Sequence, residues 1–174
     1  MNEIRKAKKA ELDGVMEFYH KLIDKMQELP FNHIWEKGVY PKRSFISAAI
    51  ENEELYIMTD SSDMIASVIL NHNLDGYDDV KWNIDAEKDQ ILVIHAIAVS
   101  PEYLGKGYGK QMVRFAIETA KEMGLKAIRL DVLPGNIPAE RAYVSEGFRY
   151  VDTKTMSYGN AGVRNYSLYE LPIV

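Results

Sequence analysis

Between Leu104 and Met112 the chain reads LGKGYGKQM, with glycines at 105, 107 and 109 and lysines at 106 and 110. Alternate glycines running straight into a periodic helical segment leave a helix N-terminus bare of side chains. Unpaired N–H groups and the positive end of the helix dipole favour an anion there. Missing Cβ atoms let a bulky diphosphate approach the main chain. Lys106 and Lys110 would add screening charge. A tight turn would also use glycine, but three in five residues against a helix are costly for that purpose alone. Two other phosphate-binding arrangements fail. A triphosphate-binding loop requires G-x-x-x-x-G-K-[ST]; Gly105 to Gly109 is one residue short, and Gln111 stands where a magnesium-binding hydroxyl belongs. A dinucleotide fingerprint requires G-x-G-x-x-G directly after a strand. Here SPEYL intervenes, and although Asp131 lies at about the distance of that fold's ribose-binding acid, the chain beyond Gly109 is too short for the rest of such a domain.

Other reactive groups are few. There are no cysteines, which excludes disulfides, thiolate metal sites and a covalent cysteinyl intermediate. His20, His33 and His72 have no metal-ligand spacing, so no metal site is expected. A net charge of −5 argues against broad nucleic-acid binding. No run approaches the ~20 apolar residues of a membrane span. The N-terminal MNEIRKAKKAELDG lacks the apolar core of a secretory signal. The expectation is a cytoplasmic protein that engages neither nucleic acid nor membrane.

The elements that must position the glycine turn follow from periodicity. At 174 residues the chain fits one domain, 1–174. Residues 2–6 suit a short strand. Leu12, Val15, Met16, Tyr19, Leu22, Ile23 and Met26 recur at helical spacing. From Gln27 to Arg43 the pattern dissolves into a loop with Phe31, Trp35 and Tyr40, read as a substrate lid against a plain connector or a dimer contact. Ser44 to Ile50 is a short helix, and ELYIMTD with MIASVILNH forms a hairpin turning at Ser61–Asp63. Asn73 to Gln90 is polar and acidic and reads as a surface excursion. Ile91 to Val99, ILVIHAIAV, suits a central strand buried on both faces. Gly107 to Met123 is a helix closed by Gly124, and 127–132 is a strand. Asn136 caps a short helix with Pro138 in its first turn and Gly147 as its stop, and two strands end the chain. The fold class is α/β: a mixed, mostly antiparallel central sheet flanked by helices.

A buried strand ending AIAVSPEY, then LGKGYGK opening a helix, then RLDV and NIPAERAYVSEGF, resembles the GNAT superfamily of acetyl-CoA-dependent N-acetyltransferases. The matching motifs cover roughly residues 91–150, and the upstream element order agrees. The resemblance implies a GNAT-like acyl-CoA N-acyltransferase fold and acetyl-CoA as co-substrate. It implies that the amides of Leu104, Gly105, Lys106, Gly107, Tyr108 and Gly109 hold the CoA pyrophosphate, with Lys110 beside them. Leu104 departs from the glutamine or arginine usual in the first place. Main-chain groups of Ile97, Ala98 and Val99 would pair with the pantetheine arm, and one N–H would polarise the thioester carbonyl.

Without a cysteine, direct attack by an amine in a ternary complex is the economical route. The pattern Asn136, Ala139, Tyr143, Gly147, Phe148 is similar to the family's, whose tyrosine donates a proton to the CoA sulfur; a core tyrosine would share that spacing. Asn136 would cap the helix, bond the CoA arm, or both. The family often carries a glutamate on the strand before the glycine turn, and this strand has none. His95, its only titratable side chain, is the first candidate base, against a buried structural histidine; strand alternation puts it on one face with Val93, Ile97 and Val99. Asp131 is the second, against a loop-fixing carboxylate. The implied activity is acetyl transfer to a primary amine, on a small molecule or a peptide. The alternative is a non-catalytic acyl-CoA-binding sensor or interaction module. A homodimer stays open.

Overall fold

The computed structural model describes residues 2–30, 33–158 and 161–174. Phe31, part of the expected lid, lies outside them. One seven-stranded sheet runs in the order β1-β2-β3-β4-β5-β7-β6. Its strands are β1 (Glu3–Lys6), β2 (Leu55–Asp60), β3 (Asp63–Asn71), β4 (Ile91–Val99), β5 (Ala127–Val132), β6 (Arg149–Ser157) and β7 (Val163–Pro172). Only the β4–β5 pair is parallel. The helices are α1 (Leu12–Met26), α2 (Arg43–Glu51), α3 (Tyr108–Glu122) and α4 (Ile137–Ser145). A mixed, mostly antiparallel sheet between helices is the expected class.

Each layer follows from a buried stripe. On α3, Met112, Val113, Ala116 and Ala120 lie at helical spacing and pack on Leu92, Ile94, Ile128 and Leu130. On the opposite face α1 and α2 cover Leu55, Ile57 and Ile69. Segment 73–90 covers β4, β5 and β7, with Tyr77 and Val80 packed on Ile91, Val93, Tyr166 and Leu168. It is therefore no surface excursion. Glu170 Oε1 accepts from the amides of Asn83 and Ile84, while Glu170 Oε2 takes Arg129 Nε at 2.9 Å, a buried pair beneath the Trp82 ring.

Two irregularities of β4 shape the centre of the molecule. Its ladder with β5 covers only Ile91–Val93 against Ala127–Arg129, although the strands continue to Val99 and Val132. Beyond Val93 the two strands part. On the other edge Ser67 pairs with Ala98 and Ile69 with His95, so two steps on β3 oppose three on β4. The extra residue makes a bulge at Ala96, whose φ is +49°. A left-handed alanine costs about 1–2 kcal/mol. The Tyr19 hydroxyl, sealed in α1, offsets it by donating to the Ala96 carbonyl at 2.8 Å. Past the bulge the side-chain parity inverts: Ile97 and Val99 join Leu92 and Ile94 on the α3 side, and Ala96 and Ala98 face α1. His95 thus does not share a face with Ile97 and Val99, as plain alternation predicts.

Candidate active site

Gly107 is the N-cap of α3 with φ +83°, and Gly105 has φ +76°. Both backbones are left-handed, which is why glycine stands there. The Gln111 amide is the first to turn back, to the Gly107 carbonyl at 3.1 Å. The amides of residues 105–110 find no acceptor among the described residues, which leaves a row of donors at a helix N-terminus. Gly109 is different. Its φ is ordinary, and an added Cβ would meet only Val99 Cγ2 at 3.6 Å. The free protein has room for a Cβ there. Lys106 lies over the Tyr103 ring at 5.1 Å, and the Tyr108 ring meets Tyr103 edge-on. Lys110 already has a counter-ion. With Arg114 it holds Glu146, whose burial works to raise its carboxyl but is outweighed by those two hydrogen bonds, leaving it below the usual range.

Where β4 and β5 part, a cavity of about 240 Å³ passes between them. On the α3 side it is lined by Ile97, Val99, Leu104 and Gly109, and by Asn136, Ala139 and Tyr143 from the start and inner face of α4. Asn136 stands at the N-cap position, its backbone amide bonded to the Leu133 carbonyl and its side chain making no cap bond, and it lines the cavity. The Ser100 amide bonds the Ile65 carbonyl at 2.7 Å. Alternation along that antiparallel ladder turns Ala98 N–H toward β3 and the amides of Ile97 and Val99 toward the gap. Of the residues singled out in the sequence, His95, Asp131 and Ala98 also line this cavity. Gly105, Lys106, Gly107, Tyr108 and Lys110 flank Leu104 and Gly109 in the chain and do not line it.

Burial sets the charge state of the three side chains. Tyr143 is 4% exposed and packs on Phe148, and its hydroxyl makes no hydrogen bond among the described residues. Burial, then the charge of Asp131, pushes its phenol above the ordinary range, so it stays protonated. Asp131 Oδ2 accepts from the Tyr77 hydroxyl at 2.6 Å and from the Tyr158 hydroxyl. Burial raises its carboxyl while those phenols pull it down, and burial wins. Oδ1 accepts no hydrogen bond among the described residues. His95 Nε2 lies 2.9 Å from Asn71 Oδ1, which also accepts the Asn73 amide, while Asn71 Nδ2 donates to Glu54. The oxygen is therefore fixed, Nε2 must carry the proton, and Nδ1 keeps a lone pair. Burial pushes this imidazole down to about 4.

The sequence pointed to Trp35 and Tyr40 in a lid loop but not to Tyr158 and Tyr166, which complete the aromatic half of the site. Trp35 and Tyr40 of the loop after α1 are half-buried, and rings run in contact from Tyr19 through Trp35, Tyr40 and Tyr158 to Tyr166. The Tyr166 hydroxyl and His33 Nδ1 are buried without partners among the described residues, and both residues line the cavity. Only the abundance of tyrosine, 11 in the chain, signalled such a cluster. Among the described residues no group of three or more His, Asp or Glu could hold a metal ion, and no helix is long and apolar enough to cross a membrane.

Residues 18–148 match the model of the acetyltransferase (GNAT) family. The chain belongs to the GNAT acetyltransferase family. Acetyl-CoA is the co-substrate that this membership gives it, and the free amides at the start of α3 fit its pyrophosphate. The streptothricin acetyltransferase of Streptomyces lavendulae is 35% identical over 89 residues, 51% of this chain but only 44% of that protein's own length. Among solved structures, a GNAT acetyltransferase of Streptococcus agalactiae superposes with a TM-score of 0.80 at 20% identity, covering 97% of this chain and 94% of that one. An acetyltransferase of Salmonella typhimurium, solved with its cofactor acetyl-CoA, superposes at 0.71 and 15% identity, covering 100% and 95%. At such identities the structures share the fold.

Proposed function

We propose that residues 1–174 form one cytoplasmic N-acetyltransferase domain that transfers the acetyl group of acetyl-CoA to a primary amine by direct attack in a ternary complex. The observation that carries this reading is the parting of β4 from β5. It opens a single cavity lined by Val99 and Gly109 below the donor-rich turn, by the protonated Tyr143, and by Asp131 with one free carboxylate oxygen.

In this reading the amides of residues 105–109 hold the pyrophosphate, with Lys106 and Lys110 nearby, while the Leu104 amide donates to the Pro101 carbonyl. Asn136 and Ala139 bound the pantetheine channel, and the main chain of Ile97–Val99 pairs with the arm as an added strand would. The Ile97 or Val99 N–H meets the oxygen that gains charge as the amine attacks. Asp131 Oδ1 takes one proton from the incoming ammonium. The nitrogen lone pair then forms the N–C bond as the C–S bond breaks. Tyr143 gives its phenolic proton to the departing sulfur, and the second proton lost by nitrogen restores the phenol. The proton on Asp131 leaves to solvent with the products. Asp131 is the better base because its Oδ1 accepts no hydrogen bond among the described residues and burial raises its carboxyl, whereas burial lowers the His95 imidazole. The neutral His95 Nδ1 orients the amine by accepting a hydrogen bond.

Release of free thiol from acetyl-CoA with a panel of amines tests the reading. Tyr143→Phe removes only a hydroxyl whose partner is a sulfur gaining charge, so kcat should fall by ~10²–10⁴-fold with both KM values little changed. A fall below about threefold would remove Tyr143 from the chemistry. A non-catalytic acyl-CoA sensor would bind acetyl-CoA and release thiol no faster than background.

A further inference from the structure

The acceptor half of the cavity is chemically lopsided. On the α1 side its walls are Leu22, Met26, Leu29 and Trp35, with the rings of Tyr40 and Tyr158 beside them. Among the described residues no lysine, arginine or glutamate lines it, and Asp131 is the only carboxylate. Three polar atoms in it lack a partner among the described residues. They are Asp131 Oδ1, the Nδ1 of His33, and the hydroxyl of Tyr166, a residue that is 2% exposed. A buried hydroxyl without a partner costs stability in the free protein, which makes it a marker for a ligand group.

The volume of about 240 Å³ is small beside the ~300–1,000 Å³ of drug-sized sites, and the thioester end must share it. A second cavity of about 590 Å³, with Asp75, Lys42 and Lys154 in its lining, adjoins it at Tyr40, His95 and Tyr158. A polyamine or an aminoglycoside would bring further ammonium groups to a wall with a single anion. A free amino acid would bring a carboxylate with no cation to meet it. Aromatic rings around one carboxylate favour a single cation on an apolar body.

The geometry points to a compact, apolar, singly charged primary amine as the acceptor, its ammonium held by Asp131 and the Tyr166 hydroxyl and its hydrocarbon body lying against Trp35, Leu22 and Leu29. This inference rests on the acetyltransferase reading. Its test separates the two by first measuring acetyl-CoA binding alone, as a rise in melting temperature.

With saturating acetyl-CoA, kcat/KM from thiol release is compared for phenethylamine, spermidine, lysine, kanamycin and a short peptide with a free N-terminus. Phenethylamine should lead each of the others by roughly a hundredfold or more, because every competitor buries an unmatched charge or polar group. Tyr166→Phe should raise KM for phenethylamine about tenfold or more, the loss of a hydrogen bond to a charged group, while KM for acetyl-CoA stays put. The melting temperature of the free variant should hold or rise, since the hydroxyl has no partner to lose. A purely structural Tyr166 would instead lower the melting temperature and leave the amine KM unmoved, overturning the assignment. Preference for spermidine, lysine, kanamycin or the peptide would overturn the acceptor class. So would acetyl-CoA binding with none of the amines turned over. If acetyl-CoA itself fails to bind, the acetyltransferase reading falls first.

Discussion

Burial acts in opposite senses on Asp131 and His95, and their titrations can be read separately. Asp131 is raised, so the free-enzyme rate should climb with pH as its carboxyl ionises. Asp131→Asn should lose that ascending limb of kcat/KM, and His95→Gln should keep it. Loss of the limb in His95→Gln alone would return the base to His95. His95 should show itself in stability. Its imidazole is held at about 4 against an ordinary 6.5, so between those values the unfolded chain takes up a proton that the folded one refuses. Stability conferred by the neutral ring is complete above about 6.5 and is lost as pH falls toward about 4. Melting curves at several pH values should show a steeper acid-side decline in the wild type than in His95→Gln. Parallel declines would mean that the ring is not desolvated.

At the scale of elements, the bulge in β4 decides which main-chain groups reach the gap, and it hangs on one contact. Removing the Tyr19 hydroxyl leaves the Ala96 carbonyl in a part-buried place without its donor. Tyr19→Phe should therefore cost ~1–3 kcal/mol, read as about 2–4 °C of melting temperature per kcal/mol. It should also lower kcat more than it raises KM for acetyl-CoA, since the Ile97 and Val99 amides are held in register by that bulge. An unchanged melting temperature would mean the bulge is held by β3 alone. This element also marks where legibility ended. The glycine turn, α3 and the Asn136–Phe148 segment could be read because each is a short-range pattern whose partners lie within a few turns. Ala96 has no signature of a left-handed backbone, so plain alternation misplaced His95. Segment 73–90 looked like surface because its acids outnumber Tyr77, Val80 and Trp82, whose burial depends on Arg129 and Glu170 far along the chain. The phenols on Asp131 come from 54 and 27 residues away, and only the folded sheet assembles them.

At the scale of the whole molecule, the sheet is held together on both sides of a deliberate gap, and the two halves meet through the cavity there. A ligand that fills it and binds only the folded state raises stability as RT ln(1 + [L]/Kd), about 2.7 kcal/mol at a hundred times Kd. Gly107 is a poor place to probe this, because a side chain at φ +83° strains the turn by itself. Gly109 is the better one: its φ is ordinary, and an added Cβ meets only Val99 at 3.6 Å. The measurement that tests the account most directly is calorimetric titration of acetyl-CoA into the wild type and Gly109→Val, with the melting temperature of each free protein recorded alongside. The account predicts saturable binding to the wild type and an affinity at least about tenfold weaker in Gly109→Val, about 1.4 kcal/mol, with the free proteins melting within a few degrees of each other. No binding to the wild type, or equal affinity in the two, would contradict it.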